Sequence, residues 1–150
     1  MRAQARAQVS PGTPARTVLC VEDNAANLAL IEQLMARRPD LRLLSAGDGN
    51  RGIELARAHG PQVILLDVNL PGISGIEVMK ILRADLFTAH IPIVALSANA
   101  LPGDIEDGIE AGFFNYITKP FEVTQFMDAL DEALEFSQIA TTRATGKEQA

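Results

Sequence analysis

The chain has 150 residues, 47% hydrophobic and 21% charged, enough for one domain with a proper core. A formal net charge of −6 and a pI near 4.8 argue against nucleic acid as a direct partner, because phosphate backbones need a basic face. Cys20 is the only cysteine, so no disulfide framework forms within the chain, and its place in "TVLCVED" marks it as a buried core residue.

Residues 1–16 carry Arg2, Arg6 and Arg16 and no acid, and read as a flexible lead. "TVLCV" is the first strand. From Ala25 to Arg38, Leu28, Ile31, Leu34 and Met35 keep helical spacing. "LRLLSA" is the second strand. Asn50 to His59 is a helix with Ile53, Leu55 and Ala56 inward, stopped by Gly60-Pro61. "QVILLD" is the third strand, and Gly75 to Asp85 is a helix with Ile76, Met79 and Leu82 at spacing three. "IPIVALS" is the fourth strand. Pro102 opens the next helix and Gly112 ends it. "FFNYIT" is the fifth strand. Glu122 to Ser137 is the last helix, with Val123, Phe126, Leu130 and Leu134 on one stripe, and residues 138–150 read as a flexible polar tail. No apolar stretch approaches the ~20 residues of a membrane span, and the N-terminus lacks the apolar centre of a secretory signal.

Five strands alternating with five helices predict an α/β fold, a doubly wound parallel sheet over residues 17–137. Near-continuous Val, Ile and Leu in the first, third and fourth strands fits burial on both faces. In such sheets the ligand site lies beyond the carboxyl ends of the strands. Those ends carry Glu22 and Asp23, then Asp67 with Asn69 in the following loop, then Ser97, then Lys119-Pro120. If these strands are neighbours, three carboxylates, a hydroxyl and an ammonium converge. Carboxylates so close repel, and at least one pKa should rise. A divalent cation such as Mg²⁺, with Mn²⁺ as a substitute, would remove the conflict. A carboxylate beside a metal, an ammonium and a hydroxyl is arranged to attack phosphorus.

"VLCVEDN", "ILLDVNLPGISG", "IVALSANA" and "YITKPF" follow in order at the ends of four strands. With these four motifs, residues 17 to about 137 resemble the receiver domain of two-component response regulators. The resemblance implies the flavodoxin-like strand order 2-1-3-4-5, which the general rule for doubly wound sheets gives for this class. It implies that Asp67 is the phosphoacceptor, fed by a histidine kinase or a histidine phosphotransfer protein. It implies a metal held by Glu22, Asp23, Asp67 and the backbone carbonyl of Asn69, with Ser97 and Lys119 reading the phosphoryl group. Tyr116 would change rotamer on activation, and the Lys119–Pro120 bond would be cis. It further implies a cytoplasmic, bacterial signalling protein that acts more as a switch than as an enzyme, although it promotes its own phosphorylation and dephosphorylation. Output would run through the fourth helix, fifth strand and fifth helix, a face through which homodimers could also form. The stretch from "ALSANA" to "YITKPF" resembles receivers attached to hybrid histidine kinases, in which such a domain can also serve as a phosphate relay or sink.

Three rivals are weaker. A mononucleotide binder of the same fold needs a Ser/Thr/Gly-rich first loop, and "EDNAAN" repels phosphate. An aspartyl-phosphate phosphatase needs a second acid two residues after the nucleophile, and here Asn69 stands in that place. A docking scaffold that is never phosphorylated would lack some of the acids or the lysine. His59 and His90 stand where neither can donate phosphate or bind metal.

Overall fold

The computed structural model describes residues 15–98 and 101–149, with side chains to residue 139. Its elements run β1 (Arg16–Val21), α1 (Ala25–Met35), β2 (Leu41–Ala46), α2 (Gly49–His59), β3 (Val63–Asp67), α3 (Gly75–Ala84), β4 (Ile93–Ser97), α4 (Pro102–Ala111), β5 (Asn115–Thr118) and α5 (Val123–Gln149). All strand pairings are parallel and the order is β2-β1-β3-β4-β5, as expected.

Successive strand residues point to opposite faces, so one run of Val, Ile and Leu serves two cores. Val18, Cys20, Val63, Leu65, Val94, Leu96 and Ile117 meet Ile31, Leu34 and Met35 of α1 and Phe126, Leu130 and Leu134 of α5. Leu19, Val21, Ile64, Leu66, Ile93 and Ala95 meet Ile53 of α2 and Val78, Met79 and Leu82 of α3. The core strands β3 and β4 are buried along their whole length, including the polar ends Asp67 and Ser97.

The helix ends follow from local chemistry. Asn24 accepts the N–H of Asn27 at the start of α1, and Asp48 accepts that of Arg51 at the start of α2. Ser74 and Glu77 form a reciprocal capping box on α3. Gly60 closes α2 at φ 53°, a left-handed position that glycine adopts without strain. The Arg83 guanidinium at the end of α3 donates to the carbonyls of Ala89, Ile91 and Gly112. Thr88, fully buried, donates to Leu82 O.

Some expectations differ from the structure. The last helix does not stop at Ser137 but runs to Gln149, so residues 138–149 are helical rather than a loose tail. No proline follows Pro120, and the first glycine after it is Gly146, so nothing in this stretch forces an earlier stop. Ile76 and Val123 are 41% and 40% exposed, because the buried stripe of α3 is Gly75, Val78, Met79 and Leu82, and that of α5 begins at Phe126. The lead lies outside the described residues up to position 14.

Gly75 packs directly on the turn after β3. A Cβ there would stand 2.7 Å from Val68 Cα and closer still to Asp67 O, with only backbone to yield. Gly75→Ala should therefore destabilise the protein by roughly 1–3 kcal/mol, the usual range for overpacking. Urea unfolding should show this, while Gly103→Ala, where nothing lies within 4 Å, should be neutral or stabilising. Equal midpoints for wild type and Gly75→Ala would contradict the packing argument.

Candidate functional site at the carboxyl edge of the sheet

The strand order reverses between β1 and its neighbours β2 and β3, and the acids gather at that reversal. Glu22 follows β1 directly and is buried, held by the backbone N–H of Asn24 on Oε2 at 3.2 Å. Asp23 turns outward and is exposed. Asp67 ends β3, buried, with Oδ1 accepting the N–H of Asn69 at 2.9 Å. Glu22, Asp23 and Asp67 each offer an oxygen within 4.8 Å of the other two. Lys119, just past β5, reaches back with Nζ 2.9 Å from Asp67 Oδ2 and 3.1 Å from Glu22 Oε1. Its backbone N–H bonds to Ser97 O, which ties the end of β5 to that of β4, and the Lys119–Pro120 bond is cis.

One ammonium serves two buried carboxylates, and it serves them unequally. It makes a well-aligned hydrogen bond to Asp67, whereas Glu22 Oε1 is buried with no aligned hydrogen-bond partner. Burial, reinforced by the neighbouring Asp67, pushes the Glu22 carboxyl up to about 7. Asp67 also feels burial, but hydrogen bonds from Glu22, the Asn69 N–H and Lys119 together hold its pKa below the ordinary carboxylate value. Below about pH 7, in the absence of a metal, Glu22 therefore holds the proton of the pair and Asp67 is the ionised member. Glu22 Oε1, ion-paired with Lys119 but without a hydrogen bond among the described residues, and the hard oxygen set fit a cation such as Mg²⁺, which would replace that proton.

Asn69 and Ser97 also line a cavity of about 450 Å³ that opens between α3 and α4. Ser97 does not cap α4: the cap position is Leu101, whose side chain makes no such bond. At the far side of the cavity, Tyr116 lies edge-on to Phe113 and its hydroxyl approaches Asp104 O at 3.4 Å. The ring rests against α4 at Gly108, where any Cβ would collide with the Tyr116 hydroxyl. The structure therefore brings together Glu22, Asp23, Asp67, Asn69 and Lys119, with Ser97 at the neighbouring strand end. Tyr116 stands apart, across the cavity. Sequence reading did not single out Gly108 as its seat, and the signal was a second glycine inside a ten-residue helix.

Residues 18–131 match the family model of the response regulator receiver domain. The chain belongs to that family, and with it to two-component signalling. It is 36% identical over 119 residues to the polar-differentiation response regulator DivK of Brucella ovis, covering 79% of this chain and 96% of that one. Among solved structures it resembles the receiver domain of a Pseudomonas aeruginosa PAO1 sensor histidine kinase, which has a magnesium ion coordinated in its active site cleft. The TM-score is 0.73 at 32% identity, over 81% of this chain and 99% of that one. A putative response regulator from Chloroflexus aurantiacus matches at TM-score 0.75 and 27% identity, over 81% and 99%. Among the described residues, no helix is long and apolar enough to cross a membrane.

The raised Glu22 pKa has a signed consequence. Between the ordinary value of 4.5 and about 7, the folded metal-free protein keeps a proton that the unfolded chain has released. Stability should therefore fall as pH rises through that window. The lowered Asp67 pKa acts only below the ordinary carboxylate value of 3.8, where it removes stability as pH falls, so the two effects separate. Urea unfolding in EDTA from pH 4.5 to 7.5 should show the decline in wild type and lose it in Glu22→Gln. Identical slopes in the two proteins would count against the assignment.

Proposed function

We propose that Asp67 is a phosphoacceptor, charged by the phosphohistidine of a histidine kinase or histidine phosphotransfer protein. The observation that carries this reading is the geometry at Asp67: an ionised carboxylate at the tip of a core strand, 2.9 Å from the Lys119 ammonium. An Asp67 oxygen attacks phosphorus as the P–N bond breaks, and the imidazole leaves with the bonding pair and takes up a proton. Glu22, Asp23, Asp67 and the backbone carbonyl of Asn69 would hold Mg²⁺, which supplies charge neutralisation to the transferring group. Lys119 is already placed to move from the bare carboxylate to a phosphoryl oxygen. The Ser97 hydroxyl, at the end of the adjacent strand, takes another by a charge-assisted hydrogen bond. The chain then works mainly as a switch: Ser97 drawn toward the phosphoryl group leaves room in the cavity, and Tyr116 turns in from Gly108 to fill it. That change of packing reaches α4, β5 and α5, the output face, as a shift between two populated states.

Intact-mass spectrometry after incubation with acetyl phosphate tests the acceptor. Wild type with Mg²⁺ should gain one phosphoryl group, and wild type in EDTA and Asp67→Asn with Mg²⁺ should gain none. Equal labelling of Asp67→Asn would falsify the assignment. Lys119→Met should cut the rate of labelling by at least about tenfold, the scale of losing one preorganised cation at a transition state. An unchanged rate would remove Lys119 from the mechanism.

A further inference from the structure

Two stretches of the chain differ sharply in charge. Residues 15–83 hold eight basic and eight acidic side chains. From 84 to 142 there are ten acids against one lysine, Lys119, and that lysine is turned into the site, 17% exposed. Two of the ten are satisfied elsewhere, Asp85 by Arg57 and Asp131 by Arg38. The other eight lie on α4, at the start of α5 and along it. They are Asp104, Glu106, Asp107 and Glu110, then Glu122, Asp128, Glu132 and Glu135. All are exposed, and none makes an ion pair among the described residues.

This arrangement works against the element that carries half of it. Asp104 and Asp107, Asp107 and Glu110, and Glu106 and Glu110 are like-charged neighbours at helical spacings of three and four, each mildly destabilising. Glu110 also stands at the negative end of the helix dipole. α4 has no side-chain cap, begins Pro102-Gly103, and buries only Gly108. Lys80 of α3 lines the cavity together with Asp104 and Asp107 and forms no ion pair with either among the described residues. On the α5 side a groove of about 350 Å³ runs along Asn115, Glu122, Gln125, Asp128 and Glu132. Large apolar side chains stand exposed on the same two helices: Ile109 at 45%, Val123 at 40% and Phe136 at 45%.

We infer that the α4–β5–α5 face docks a cationic amphipathic segment of a partner protein, its Lys or Arg side chains on the α4 and α5 carboxylates and its apolar side chains on Ile109 and Phe136. The inference rests on reading this face as the output surface. Such a partner supplies the positive charge that α4 lacks, so binding and helix stability rise together. The same charge disfavours other occupants. A second copy of this chain, docked symmetrically through α4 and the described side chains of α5, would set carboxylates against carboxylates. Nucleic acid or an anionic membrane would meet the same repulsion. Burial lifts the Tyr116 phenol above its ordinary value, and Asp104 and Asp107 lift it further, which is the field a cation would relieve.

The test uses the full chain and a helical peptide of Leu and Lys, roughly five turns long, with two controls: the same peptide with Ser for Leu, and one with Glu for Lys. Amide shifts on titration should concentrate in residues 101–137. The double variant Glu110→Gln/Asp128→Asn should weaken binding by roughly 3- to 10-fold, the scale of two surface ion pairs. Glu32→Gln/Glu54→Gln, which removes the same charge from the first half, should leave it unchanged. Sedimentation should show a monomer at low salt. Shifts scattered over residues 15–83, or equal weakening by both double variants, would mean general attraction to an acidic protein and overturn the proposal. Equal binding of the Ser/Lys peptide would reduce the face to a polycation site and overturn the amphipathic partner. A dimer whose shifts map to this face would assign it to a second copy instead. Binding that ignores acetyl phosphate supports the docking surface while counting against Asp67 as its switch, whereas loss of binding in every state removes the surface itself.

Discussion

A single ammonium between two buried carboxylates governs the carboxyl edge of this molecule. Lys119 lies 2.9 Å from Asp67 and 3.1 Å from Glu22, and it cannot neutralise both. A proton on Glu22 offsets the remaining charge at low pH, and the three acids could hold a cation that would do the same. Everything nearby is built to keep that conflict in place. The strand order makes β1 and β3 neighbours, which sets Glu22 beside Asp67, and it puts β5 two strands from β3, so that Lys119 must reach across the end of β4. Gly75 lets α3 start directly against the turn after Asp67, so the carboxylate cannot retreat without moving backbone. A buried ion cluster of this kind is weak evidence for stability. It is better understood as a site kept short of positive charge.

Much of this was legible in the sequence, for identifiable reasons. The five strands announce themselves because burial on both faces demands unbroken Val, Ile and Leu, and the parallel alternation then places every strand end on one edge. That reasoning alone brought Glu22, Asp23, Asp67, Ser97 and Lys119 to one rim, and repulsion among the acids already required one pKa to rise. Which carboxyl would keep the proton was not legible. It depends on how burial and hydrogen bonds divide between the two carboxylates, which no spacing encodes. The helix stripes were read correctly at Met79, Leu82, Phe126, Leu130 and Leu134, but their first members, Ile76 and Val123, lie in the first turn of each helix and stand exposed. The end of α5 was misjudged because a polar composition was read as loop, although polar residues without proline form exposed helix readily.

Arg83 was also beyond sequence reading. It sits on the exposed-looking flank of an amphipathic helix, yet its guanidinium is half-buried and given entirely to backbone carbonyls. Burial lowers its pKa, but the fork geometry suits three carbonyls from two separate loops. Nothing in the pattern around position 83 distinguishes such a residue from an ordinary surface arginine. The same holds for Gly108, whose role is legible only once Tyr116 is seen lying on it.

The Arg83 clamp also sets the grain along which the molecule can come apart. It fastens the approach to β4, through Ala89 and Ile91, to the approach to β5, through Gly112. α4 hangs between β4 and that second anchor, uncapped at its start and with one glycine as its buried residue. The helix can therefore fray and reform while the two strands on either side of it stay paired. Cooperative units in proteins end where few apolar contacts cross, and α4 is such a unit by construction. Its opening should cost only a small part of what global unfolding costs.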